Sequence, residues 1–193
     1  LDAEIMHHYE LGAGRTWEKV RANLVFFRNQ GRNRYVIDPP PPFPPVFANI
    51  GNYSIQGLEA TVSYNPTDDL SLFAGTAFLE RNPSDLPYAP KGTFSAGVNW
   101  RFRESFQLAV DSQYVSERYV GSRSRRDGFA NRESVGSHYL LNGKLSYLFR
   151  PGAGNMDIEL YVFGENLTNA DYEYKPGYPM PGINGMFGVA FRF

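Results

Sequence analysis

The last eight residues, Met186-Phe187-Gly188-Val189-Ala190-Phe191-Arg192-Phe193, alternate without a break. Phe187, Val189, Phe191 and Phe193 fall on one face of an extended chain, and Met186, Gly188, Ala190 and Arg192 on the other. Successive strand side chains point to opposite sides, so this pattern makes a ribbon with one greasy face and one small or polar face. The pattern recurs upstream. Phe94, Ala96, Val98, Trp100 and Phe102 oppose Thr93, Ser95, Gly97, Asn99 and Arg101, and Leu58, Ala60, Val62 and Tyr64 oppose Gly57, Glu59, Thr61 and Ser63. Phe106, Leu108, Val110 and Tyr114 alternate with Gln107, Ala109, Asp111 and Gln113. Residues 139–149 and 157–165 alternate less cleanly, and 70–79 is nearly apolar on both faces.

Reading the pattern along the chain predicts nine strands, at 6–13, 18–36, 52–64, 70–81, 91–102, 106–119, 137–149, 156–166 and 184–193. Short connections fall near Gly14, at 65–69, at 103–105 and at 151–155, and alternate with long ones at about 38–49, 82–89, 121–135 and 168–181. Tight turns at one end and long loops at the other are the pattern of an outer-membrane barrel, periplasm below and cell exterior above. Strands of about ten residues cross a bilayer when tilted, whereas strands of soluble proteins average about five or six. A soluble β-sandwich with inward Phe is the competing architecture. Single-chain bacterial barrels have even strand numbers, so nine strands should not close alone, and an open edge in lipid leaves backbone groups unpaired.

Composition agrees. Aromatics make up 16% of the chain, with 15 Phe and 13 Tyr, yet mean hydropathy is negative. A formal charge of -1 gives no field that would recruit nucleic acid. With no cysteine, disulfides, thiol catalysis and thiolate metal sites are excluded. No stretch approaches the roughly 20 apolar residues of a transmembrane helix, as expected where strands carry the membrane signal.

Several motifs resemble those of one family. Val162-Phe163-Gly164-Glu165-Asn166-Leu167-Thr168-Asn169-Ala170-Asp171-Tyr172, then Met180-Pro181-Gly182, then the strand closing on Phe193 are similar to the C-terminus of TonB-dependent outer-membrane receptors. Tyr9-Glu10-Leu11-Gly12, Ile55-Gln56-Gly57-Leu58-Glu59 and Ala89-Pro90-Lys91 resemble barrel-strand segments of that family. Many members carry Arg after the Pro-Gly turn, where this chain has Ile183. The resemblance implies an all-β, antiparallel transmembrane barrel of about 22 strands with a plugged lumen. Residues 1–193 would be its C-terminal nine strands, with the N-terminal plug and early strands missing. It implies bacterial outer-membrane localisation and TonB-coupled uptake of a scarce nutrient, ferric siderophores foremost, with vitamin B12, haem, nickel and glycans as further cargo classes. Partners would be outer-membrane lipid and lipopolysaccharide, TonB through the missing N-terminal part, and the barrel-assembly machinery reading Phe187, Val189, Phe191 and Phe193. A passive porin is the alternative transport reading.

Apart from the resemblance, the residues nominate a few sites. Asn166, Thr168 and Asn169 suit bonds to nearby backbone as a strand leaves the sheet, and Pro181-Gly182 suits a turn. Arg118, Tyr119, Arg123, Arg125, Arg126 and Arg132 gather in and beside one long loop, where guanidinium groups beside aromatics suit an anionic chelate. Solvated loop charge is the plainer account of the same arginines. The segment 38–45 is expected to be stiff polyproline in an outer loop. His7 and His8 are neighbours on opposite faces and cannot share a metal. Inward Glu59, Asp111, Glu159, Glu165, Lys144, Arg101 and Arg192 are expected to form a lumen-wall network. No cofactor is expected, no phosphate loop occurs, and nothing supplies a nucleophile or triad.

Overall fold

A computed structural model describes residues 1–37, 47–49, 51–120, 133–151 and 156–192. Nine strands form one antiparallel sheet in chain order: β1 (Ile5–Thr16), β2 (Val20–Arg32), β5 (Tyr53–Thr67), β6 (Leu70–Asn82), β7 (Gly92–Phe102), β8 (Phe106–Val115), β11 (His138–Phe149), β12 (Asp157–Glu165) and β13 (Asn184–Arg192). Two short ladders stand in the long connections, β3 (Tyr35–Ile37) with β4 (Phe47–Asn49) and β9 (Arg118–Tyr119) with β10 (Ser134–Val135). The sheet is not closed; β1 and β13 are its edges.

Pairing keeps the two faces apart over all nine strands. One row runs Ala13–Leu24–Ala60–Thr76–Phe94–Tyr114–Tyr139, and another Leu70–Trp100–Leu108–Leu145–Val162–Phe187. Followed through the register, this face carries Arg or Glu only at Arg15, Arg28, Arg32 and Glu80, all near strand ends. No second layer covers it among the described residues: Leu11 is 76% exposed and Phe187 71%. A sandwich would bury this face, and a soluble monomer does not expose so large an apolar area. It is the lipid-facing side of a barrel wall.

The register also gives the tilt. Val20, Tyr64, Leu72, Val98, Val110, Gly143 and Gly164 lie in one row. Below that row β2 has no residues, whereas β12 continues seven further, to Asp157. The tight-turn ends therefore descend by seven residues over six strand steps. With about 3.3 Å per residue and about 4.8 Å between strands, that slope is a tilt near 40°. Aromatics mark both ends of the apolar band. Phe94 and Phe102, Tyr114 and Phe106, and Tyr139 and Tyr147 are each eight residues apart on neighbouring strands. This spans roughly 27 Å along the strand and about 20 Å along the membrane normal, close to the apolar band of such barrels. Along the lower row, ring centroids of Trp100 and Phe102, Phe102 and Phe106, and Phe106 and Tyr147 lie 4.8, 5.4 and 4.9 Å apart.

The opposite face is not simply small and polar. Phe27, Phe73 and Tyr161 point inward, each opposite a glycine of the next strand, at Gly57, Gly97 and Gly188. Each ring lies across the place that a glycine Cβ would fill, with Phe27 Cζ 2.8 Å from that position at Gly57. The rings thus lie along the wall and restore the packing that glycine lacks.

Three strand boundaries differ from expectation. The first turn is at Trp17–Lys19, closed by Trp17 N–H to Val20 C=O at 2.7 Å. Gly14 instead lies within β1, where the Asn23 side chain fills its missing Cβ. The long span 18–36 breaks at Asn33, which has φ 58°. The span 106–119 breaks at Ser116-Glu117, after which β9 pairs away from the main sheet.

The segment after β12 is stapled by its asparagines. Asn166, only 3% exposed, donates from Nδ2 to Ala170 O (2.9 Å) and Pro181 O (3.1 Å), while its Oδ1 accepts from Ala170 N (2.8 Å). Thr168 Oγ1 donates to Tyr139 O at 3.0 Å, and Ile183 N to Asn169 Oδ1 at 3.0 Å. These bonds seat the Pro181-Gly182 turn and set the entry of β13. Asn166 and Asn169 hold positive φ, 49° and 50°, a region asparagine tolerates better than most residues.

Two outcomes follow. Val98 lies midway between the aromatic rows, so Val98→Arg should cost about 2–4 kcal/mol of barrel stability in bilayers, whereas inward Asn99→Arg should cost well under half of that. Denaturant titration of the barrel folded into vesicles measures both. Asn166→Ala should cost about 2–4 kcal/mol through unpaired backbone groups and strain. Limited proteolysis should then cut within 167–183, where the parent barrel resists.

Candidate functional site at the long-loop end of the sheet

The long connections bring together residues far apart in sequence. His138, first residue of β11 and inward by register, is 4% exposed. Its ring lies 4.7 Å from Tyr172 and 5.8 Å from Tyr174, and the two tyrosine rings meet edge-on at 5.4 Å. The Arg118 guanidinium stands 5.6 Å from the Tyr174 ring centre. Arg118 is 8% exposed, and its Nη1 is buried without a hydrogen-bond partner among the described residues. Burial and then the neighbouring Tyr174 push the Tyr172 hydroxyl above the usual phenol range. A hollow of about 280 Å3 adjoins the cluster, lined by 134–137 and by Asp171, Tyr172 and Glu173, with Arg118 behind the tyrosines and outside the lining. A cation on an aromatic face, with one donor unspent, is chemistry that takes an anionic group.

A small core fixes Arg118 in place. Leu86, Val120 and Val135 are 0%, 2% and 4% exposed. Tyr88 N–H bonds Tyr119 O at 2.8 Å, and Val120 N–H bonds Glu133 O at 2.9 Å, so the 83–91 connection leans on the β9–β10 ladder. Of the residues nominated from sequence, Arg118 and Tyr119 stand here; Arg123, Arg125, Arg126 and Arg132 lie outside the described residues, as do 38–45 and Phe193. Phe187, Val189 and Phe191 all face lipid from β13. The roles of His138, Tyr172 and Tyr174 were not foreseen. Tyr172 stands at the end of the motif quoted above and Tyr174 in the aromatic density after Asn169, whereas nothing near His138 marks it.

The lumen-wall network forms in part, nearer the tight-turn end. Glu159 accepts from Lys144 at 2.7 Å, Ser146 at 2.8 Å and Arg192 at 3.0 Å, joining β11, β12 and β13. Lys144 Nζ also stands 4.4 Å from the Tyr161 ring centre. Arg101 instead pairs with Asp69 at 3.4 Å, and Asp111 accepts from Asn142 at 2.9 Å. Glu59 and Glu165 are not joined to the Glu159 cluster. His7 faces outward, while His8 faces inward and bonds Asn29 at 2.5 Å.

Comparison with known proteins agrees with this architecture. A solved iron transporter, FrpB from Neisseria meningitidis, superposes with a TM-score of 0.68 at 18% identity, over 97% of this chain and 31% of its own. BauA, the ferric preacinetobactin receptor of Acinetobacter baumannii, gives 0.72 at 18% identity, over 96% of this chain and 29% of its own. The copper transporter OprC gives 0.71 at 16% identity, over 96% of this chain and 31% of its own. The chain therefore spans under a third of the length of these structures, and identities this low speak to fold alone. The family model described as "TonB dependent receptor-like, beta-barrel" matches residues 1–167. By that match, and by an open nine-stranded wall with one lipid-facing side, the chain belongs to the TonB-dependent receptor β-barrel family.

Proposed function

We propose that residues 1–193 are the C-terminal wall of a bacterial outer-membrane receptor. It imports a scarce nutrient with energy delivered through TonB, and its cargo is an anionic metal chelate of the ferric-siderophore kind. The remaining strands and a plug would come from chain preceding this segment, and TonB would act on that part. Family membership supports the transport role over catalysis. The cargo class is suggested by an iron transporter and a ferric preacinetobactin receptor among the structural neighbours, and a copper transporter among them widens the metal beyond iron.

The observation that carries the cargo reading is Arg118, buried on Tyr174 beside inward-facing His138 at the outer mouth, with Nη1 unspent. Such a group loses little further hydration on meeting an anion, so most of the new attraction is kept. Arg123, Arg125, Arg126 and Arg132 would extend the same field from the adjoining loop. In this reading Phe187, Val189, Phe191 and Phe193 present the signal read by the barrel-assembly machinery.

Arg118→Gln in the whole receptor should weaken ferric-siderophore binding by about 1.5–3 kcal/mol, roughly ten- to a hundredfold in Kd. Replacing Arg123, Arg125 and Arg126 with Ala should weaken it further. Equilibrium binding of radiolabelled chelate to outer membranes reads both, and unchanged affinity removes these residues from the site. Normal siderophore-iron uptake after gene deletion would remove the iron reading and leave the barrel untouched.

A further inference from the structure

Resting on the outer-membrane reading above, we propose that the outer wall of β1 and β2 carries a binding site for the phosphorylated headgroup of lipopolysaccharide, built by Arg28, Arg32 and His7. All three face lipid, not lumen, since Arg28 pairs with Tyr9, Arg32 with Ile5 and His7 with Gln30 on the apolar face. Arg28 lies eight residues above the turn end of β2 at Val20, as Phe94 lies eight above the end of β7. It is therefore level with the upper aromatic row. Arg32 lies four residues higher, about 10 Å along the membrane normal at the tilt derived above. That is headgroup height in the outer leaflet.

The place is a hollow of about 530 Å3 and contains no carboxylate in its lining. Gln30, with its amide turned so that the carbonyl faces Arg28, accepts from the guanidinium at 2.9 and 3.2 Å. This holds Arg28 in a fixed orientation beside the hollow. Asn52, Ser54 and Asn82 line the same space and suit sugar hydroxyls. The nearest outward carboxylate, Glu80, is engaged by Gln56 Nε2 at 2.6 Å and sits two strands from Arg28. Directly below, Leu11, Phe26, Leu58 and Phe78 form an apolar row for acyl chains. An outward arginine at this height meets neither plug nor lumen water. Its counter-ion must be a headgroup: the guanidinium donors that Gln30 leaves on Arg28, together with the fork of Arg32, match phosphate. The other outward arginine, Arg15, lies at the opposite membrane surface over Trp17, 5.1 Å from the ring centre, and serves as a control.

The test uses the whole receptor in mild detergent, with bound lipopolysaccharide counted per barrel by native mass spectrometry. The double variant R28Q/R32Q should retain roughly thirtyfold less, in line with two lost surface cations, whereas R15Q should retain the parental amount. As a second arm, the parent receptor is offered lipid A with and without its phosphates, and inorganic phosphate as competitor. Preference for the phosphorylated lipid, not displaced by free phosphate, is expected. Equal binding of dephosphorylated lipid A, or parental retention by R28Q/R32Q, would overturn the proposal. Heat-modifiable migration of every variant reports the folded barrel separately, so loss of the site and loss of the outer-membrane reading give different results.

Discussion

A backbone amide in hydrocarbon has no water to bond, and every other feature of this chain answers to that fact. Each unpaired group costs several kcal/mol, so a segment in lipid must be a helix or a strand paired on both sides. Seven of the nine strands meet the condition within the sheet; β1 and β13 meet it only if further strands lie against them. The unbroken register then does the rest. It keeps one face apolar across the whole sheet and sends the polar and charged side chains inward or to the strand ends.

The inner surface is shaped by a second constraint, that it must leave a hollow. Phe27, Phe73 and Tyr161 would fill the lumen if they stood upright. Opposite glycines let them lie flat, so bulky residues stiffen the wall without occupying the space. The ionic cluster at Glu159 does similar work lower down, tying the last three strands together on the lumen side. At the mouth, the connections bring a buried cation and three rings to one place, and on the outside the same tilt lifts Arg28 and Arg32 to the membrane surface.

Much of the wall was legible in the sequence because period two is a local property. Thr93 to Phe102 reads as a two-faced strand from its own residues, and register later confirms each side. Asn166 and Asn169 were readable as backbone partners for the same reason: their bonds stay within the chain's own return. What escaped was non-local. Gly14 has the chemistry of a turn, but a cross-strand Asn23 needs its empty space, and only pairing reveals that. His138 meets Tyr172 across more than thirty residues of intervening chain. No periodicity encodes such a meeting.

The central claim, that the Phe- and Val-bearing side faces lipid, is open to direct measurement because this chain has no cysteine of its own. Single cysteines placed in turn at 94–101 and spin-labelled in the reconstituted barrel would report collision with oxygen against collision with a water-soluble nickel complex. The account predicts strict two-residue alternation, oxygen-accessible at 94, 96, 98 and 100 and nickel-accessible or protein-shielded at the positions between. Uniform water access along the strand, or lipid access at 95, 97 and 99, would contradict it.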